Sequence, residues 1–152
     1  MMDAYPKALK AFEPYKEKYD VIYGLEGLRN VPTLEMFDEL YNMGVRHAML
    51  TWNEANHLAT GVKGNPEHGL TPLGKKFIKY MNEHKMIIDV SHLSDKGFWD
   101  VFNNTTKPFI ASHSNARSIC NHVRNLTDDM IKPLSSRGGV MGLNFCTNLI
   151  TS

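Results

Sequence analysis

Residues 86–113 read MIIDVSHLSDKGFWDVFNNTTKPFIASH. Two apolar runs, 86–90 and 108–111, each stop at a Ser-His pair, Ser91-His92 and Ser112-His113. Between them Ser94-Asp95 offers a helix cap, and Phe98, Val101 and Phe102 fall on one helical face. Run, helix, run in this order is the pattern of a βαβ unit, whose strands are parallel. Strands of that kind are covered on both faces, so they read as continuous apolar runs rather than alternating ones. In parallel α/β folds the carboxyl ends of the strands face the functional crevice. The two histidines occupy that position on successive strands.

The same alternation extends in both directions. Residues 3–18 have the pattern of an exposed amphipathic helix interrupted at Pro14, and VIYG (21–24) reads as a buried strand. Thr33 caps a helix that carries Leu34, Phe37, Leu40 and Tyr41 on one face and stops at Gly44. VRHAMLTW (45–52) is the second strand. Residues 53–69, rich in Gly, Asn and Pro, form a long loop of the sort that tends to be functional. Thr71 caps and Pro72 opens the next helix, with Leu73, Phe77, Ile78 and Met81 as its apolar stripe. After the third and fourth strands, Thr127 caps a helix with acidic residues in its first turn. Pro133 is expected to strain or shorten that helix, and GVMGLNF (139–145) is the fifth strand.

Five alternations predict an α/β fold with a parallel sheet, a single domain over residues 1–152. An open doubly wound sheet fits, and so does part of a (β/α)8 barrel, which needs about 250 residues when complete. No G-x-G-x-x-G follows any strand, so a dinucleotide site is unsupported.

Composition narrows the partners. The chain is 42% hydrophobic and 22% charged with a formal net charge of +1. Without a block of like charge it has no electrostatic basis for binding nucleic acid or an anionic membrane surface. No apolar run approaches the roughly 20 residues that span a bilayer, and the opening residues are too polar for a secretory signal. Two cysteines, Cys120 and Cys146, make no disulfide framework and read as reduced thiols of a cytoplasmic protein.

At the strand ends stand Glu26, then Trp52 and Asn53, then His92, His113 and Asn144. Two imidazoles and a carboxylate from three strands suit Zn2+ or a similar divalent ion, with a position left open for water. Such an ion serves metal-assisted hydrolysis. A lone strand-end histidine is more often a hydrogen-bonding residue, and on residue types alone the two readings weigh equally. The other histidines (47, 57, 68, 84 and 122) are taken as solvated. Asp89, inside an apolar run, is either an inward carboxylate behind the crevice residues or a structural one facing the helices. Arg124 either ties down its loop or clamps a substrate carboxylate with two hydrogen bonds.

GLEG, GVRHAMLTWNEANHLATG, GLTPLGKKFIKYMN, IIDVSH, PFIASHSNAR and RNLTDD occur in this order over residues 23–145. Together they resemble the zinc dipeptidases of the membrane (renal) dipeptidase family, in its soluble prokaryotic branch. The resemblance implies a (β/α)8 barrel with two zinc ions bridged by a glutamate. It further implies hydrolysis of dipeptides, including those with a C-terminal D-residue. By motif, Glu26 corresponds to the bridging carboxylate, His92 and His113 to the other ligands of one zinc, and Arg124 to the residue holding the substrate's C-terminal carboxylate. Trp52 stands where the animal enzymes place a substrate-contacting histidine, so Asn53 or His57 is expected to take over that contact.

The family's His-x-Asp pair does not occur before Glu26, and its late aspartate is also missing. The chain therefore resembles an internal piece of the enzyme, about five of eight barrel units, with at most one complete zinc ligand set. Its open edges call for a second copy, as a homo-oligomer, or for the remainder of the barrel, and little activity is expected from it alone. Two other readings are another metal-dependent amidohydrolase-like barrel and a non-catalytic binding or assembly module with a partial metal site.

Overall fold

Side-chain caps decide where most of the helices begin. A computed structural model describes residues 4–151. Thr33 Oγ1 accepts from the Met36 amide and opens α2 (Leu34–Asn42), and Thr71 Oγ1 accepts from Gly74 and opens α3 (Pro72–Glu83). Ser94 Oγ accepts from Gly97 at the start of α4 (Asp95–Asn104). Each such cap satisfies a backbone donor that the first helical turn leaves free. Thr127 holds the cap position of α5 (Asp128–Ser136) without a side-chain bond.

Proline does less than expected. α5 passes through Pro133 to Ser136, and α1 (Ala4–Lys16) passes through Pro14 rather than breaking there. Both prolines sit late in their helices, where the single lost backbone bond has few turns behind it to disrupt.

The strands are β1 (Tyr23–Glu26), β2 (Val45–Met49) and β3 (Ile87–Asp89), paired in parallel in the order β1-β2-β3. Single parallel bridges continue the row, Asp89 with Ile110 and Ala111 with Met141. The order follows the chain without reversal, which is the order of a barrel wall and not of a doubly wound sheet. The fold is accordingly α/β, a partial (β/α)8 barrel.

Strand limits differ from the apolar runs because pairing sets them. β1 starts at Tyr23, since among the described residues Val21 and Ile22 have no partner strand, and they lie 39% and 62% exposed. β2 ends at Met49, short of Trp52. The fourth run shrinks to a single bridge on each side and the fifth to one bridge, although Ile110 and Gly142 still exchange backbone bonds with their neighbours.

One apolar cluster lies between the sheet and the helices. Phe37 of α2 stacks on Phe77 of α3 with centroids 5.0 Å apart, and Phe98 of α4 meets Phe109 edge-on at 5.6 Å. All four rings are fully buried, each contributing about 1.5–3 kcal/mol of hydrophobic stabilisation. The outer edges contrast with this core. Among the described residues β1 pairs only with β2, and Leu143 and Phe145 at the other edge are 66% and 84% exposed. No helix among the described residues is long and apolar enough to cross a membrane.

Candidate metal centre

The strand ends bring Glu26, His92 and His113 to one point. His92 Nε2 lies 3.0 Å from Glu26 Oε1 and 2.9 Å from His113 Nε2, and His113 Nε2 lies 3.3 Å from Glu26 Oε1. One donor atom from each lies within 4.8 Å of the others, a grouping that could hold one metal ion. Asn53 Oδ1 sits 2.9 Å from His92 Nδ1. An amide oxygen only accepts, so His92 Nδ1 carries the proton and Nε2 presents a lone pair. That lone pair then faces a carboxylate oxygen and a second imidazole nitrogen. Two imidazole nitrogens and a carboxylate oxygen meeting at one point are the donor types that a divalent ion takes, so the residues present fit such an ion.

Electrostatics agree with a ligand. Burial, then the neighbouring Arg124 and His113, push His92 down to about 3, leaving the ring neutral at neutral pH. Its backbone is unusual for a non-glycine residue, with φ at 72°. The Val62 amide and the Thr51 hydroxyl both donate to its carbonyl, at 3.0 and 3.3 Å.

Behind the two imidazoles, Asp89 is buried and faces inward. Its Oδ1 accepts from the Ser91 and Ser112 amides, at 2.9 and 3.1 Å, and its Oδ2 lies 2.8 Å from His47 Nε2. Burial works to raise this carboxyl; hydrogen bonds from His47, Ser112 and Ser91 outweigh it and hold the group below the usual carboxylate value. His47 is thus a paired, half-buried residue and not a solvated one. His57 and His84 are also engaged, His57 on the Val31 carbonyl and His84 stacked on Tyr80.

A cavity of about 460 Å³ opens over the group, lined among others by Glu26, Asn53, His92, His113, Arg124 and Asn144. Arg124 is 8% exposed, and its guanidinium makes one hydrogen bond among the described residues, from Nη2 to the His113 carbonyl at 3.2 Å. It therefore both ties the loop and keeps donors free toward the cavity. Trp52 does not line that cavity: half exposed, with its ring 5.9 Å from that of His92, it lines a smaller one that Glu26 also borders. His57 is not brought to the site.

His122 and Lys63 are among the lining residues that the sequence reading does not place at the site. His122, expected to be solvated, borders the cavity, and its Nδ1 accepts from the Arg124 amide at 3.1 Å. Its place two residues before Arg124 was the available signal. Lys63 reaches the cavity from the 53–69 loop. Cys120 and Cys146 are both free thiols.

Comparison with known proteins extends these observations. The family model described as membrane dipeptidase, peptidase family M19, matches residues 5–152. An uncharacterized protein of Klebsiella pneumoniae, from the pqqA 5' region, is 44% identical over 111 residues, covering 69% of this chain and 41% of its own length. An uncharacterized dipeptidase of Schizosaccharomyces pombe is 36% identical over 154 residues, covering 98% of this chain and 37% of its own. Among solved structures, a metallo peptidase from Rhodobacter sphaeroides, liganded with a phosphinate mimic of the dipeptide L-Ala-D-Ala, superposes with a TM-score of 0.75 at 31% identity. That match covers 86% of this chain and 39% of the other. The chain thus spans about two fifths of the length of each of these proteins. The strand order, the convergent Glu-His-His group and a family match over nearly the whole chain agree: the protein belongs to the membrane dipeptidase family, peptidase family M19.

Proposed function

We propose that the protein serves zinc-dependent hydrolysis of dipeptides, with Glu26, His92 and His113 holding one zinc ion. The observation that carries this reading is the convergence of Glu26, His92 and His113, in which Asn53 turns the His92 lone pair toward the other two. Bound there, such an ion supplies Lewis acidity, lowering the pKa of a water and polarising a peptide carbonyl. Asn53 orients His92, and Glu26, half exposed, is free to reach a second ion as a bridging carboxylate. Arg124 meets the C-terminal carboxylate of the substrate with its unused donors, the fork geometry that guanidinium offers a carboxylate. The likeness to a peptidase liganded with an L-Ala-D-Ala mimic supports a dipeptide whose C-terminal residue can be D.

Among the described residues this is the one cluster with three ligands, whereas the family resemblance implies two zinc ions. Turnover by the 152-residue chain is therefore expected to be slow, and its exposed outer edges are proposed to be covered by further barrel strands or by a second copy.

Calorimetric titration of the full chain tests the reading. One Zn2+ is expected per chain, and the zinc-loaded protein is expected to bind the L-Ala-D-Ala phosphinate. Arg124→Ala should weaken that second binding by about 2 kcal/mol or more, as for a buried charge pair losing one member. Absence of zinc binding, or phosphinate affinity unchanged in Arg124→Ala, sinks the assignment.

A further inference from the structure

Two ligands on separate turns need a common reference if their nitrogens are to meet one ion, and the strand ends hold a group that touches both turns. Asp89 closes β3, and its buried Oδ1 accepts the backbone N–H of Ser91 and of Ser112, the residues immediately before His92 and His113. A second link runs the same way, from the His113 amide to Ser91 Oγ at 3.2 Å. The other carboxylate oxygen is fixed by His47 of β2. Space for that ring comes from β1: a Cβ added at Gly24 would lie 2.1 Å from His47 Nδ1. Three successive strands thus contribute a gap, an imidazole and a carboxylate to one contact chain beside the ligands.

We propose that Asp89, held by His47, is a positioning residue that sets the spacing between the His92 and His113 imidazoles and so tunes the affinity of the metal site. Only the use of that spacing depends on the zinc assignment above. A carboxylate that accepts two main-chain donors at once fixes the relative position of two backbone segments. The pair of Ser-His endings has a physical use in this arrangement. Each serine lends its amide to Asp89, and Ser91 lends its hydroxyl to the second turn.

Cobalt binding by the full 152-residue chain tests the proposal, because Co2+ reports both affinity and coordination geometry in its visible spectrum. Asp89→Ala should weaken Co2+ binding about 10–100-fold, the range for loss of a group that orients metal ligands, and should change the band pattern. Asp89→Asn keeps an oxygen for the two amides and should recover most of the affinity, while His47→Gln should fall between wild type and Asp89→Ala. Tyr80→Phe, which removes the distant hydrogen bond to Asp38, controls for general destabilisation and should leave the spectrum unchanged. If Asp89→Ala does not fold, His47→Gln and Asp89→Asn carry the comparison. Wild-type affinity and spectrum in all the folded Asp89 and His47 variants would overturn the proposal.

A metal-free readout separates it from the zinc assignment. In wild-type chain without metal, the His92 and His113 imidazole nitrogen resonances should both move on substitution of Asp89 or His47. If the wild type binds no Co2+, the zinc assignment falls, and concerted movement of the two rings still supports Asp89 as their common reference. Rings that stay in place overturn it.

Discussion

At the first Ser-His turn the His92 side chain is 6% exposed and its Nδ1 is held by Asn53, 39 residues earlier in the chain. At the second, the His113 side chain is 28% exposed and its Nδ1 meets the hydroxyl of Ser112, the adjacent residue, at 2.8 Å. The backbones differ in the same sense. His92 sits in the left-handed region with its carbonyl accepting two donors from the 45–62 segment, whereas His113 has one donor on its carbonyl, from Arg124. One imidazole is thus set by the fold around it and the other by its own turn. A binding site built this way has one rigid ligand that defines the site and one that can adjust as an ion enters.

The largest test of this contrast is removal of the rigid ligand. His92→Ala and His92→Gly should both lower Zn2+ affinity by more than the about 10–100-fold expected for a supporting residue, measured by calorimetry. The two variants should differ in stability without metal. At φ of 72° glycine avoids the roughly 1–2 kcal/mol that a Cβ costs in the left-handed region, so the Gly variant should be the more stable in denaturant unfolding. Equal midpoints would mean that the surrounding bonds, and not the backbone, hold the turn. Next in size is Asn53→Ala, which frees His92 to adopt either tautomer. Zinc affinity should fall about 10–100-fold, with little change in unfolding midpoint. An unchanged affinity would remove the basis for calling His92 the rigid member.

The same contrast explains how much of the molecule was legible in its sequence. Thr33, Thr71 and Ser94 were readable as caps because a cap bond spans only a few residues. The convergence of Glu26, His92 and His113 was readable because strand ends in a parallel fold meet at one rim, while their reading as metal ligands came from the motif resemblance. What holds His92 was not readable in the same way. Its bond to Asn53 and the bond between His47 and Asp89 depend on the register of β2 against β3, with Met49 opposite Asp89. No local pattern encodes that register, which is why His47 looked solvated and Asp89 had two readings. Strand limits failed for a related reason: Val21 and Ile22 have strand-forming side chains but no neighbour to pair with.

The smallest effect is expected at the second turn. Ser112→Ala removes the partner of His113 Nδ1, the counterpart of what Asn53→Ala does to His92. Because the His113 side chain keeps more than a quarter of its surface open, water can take over the lost bond at nearly equal enthalpy. Asp89 also accepts the Ser112 amide, and that backbone link survives the substitution. Zinc affinity should then fall by less than about 10-fold, below the range for an orienting partner without a substitute. The decisive quantity is the ratio of the two losses, measured by calorimetry on both variants under one buffer and metal. A loss at Ser112 that matches the loss at Asn53 would show that both imidazoles are held equally tightly, and the division into a rigid and an adjustable ligand would fail.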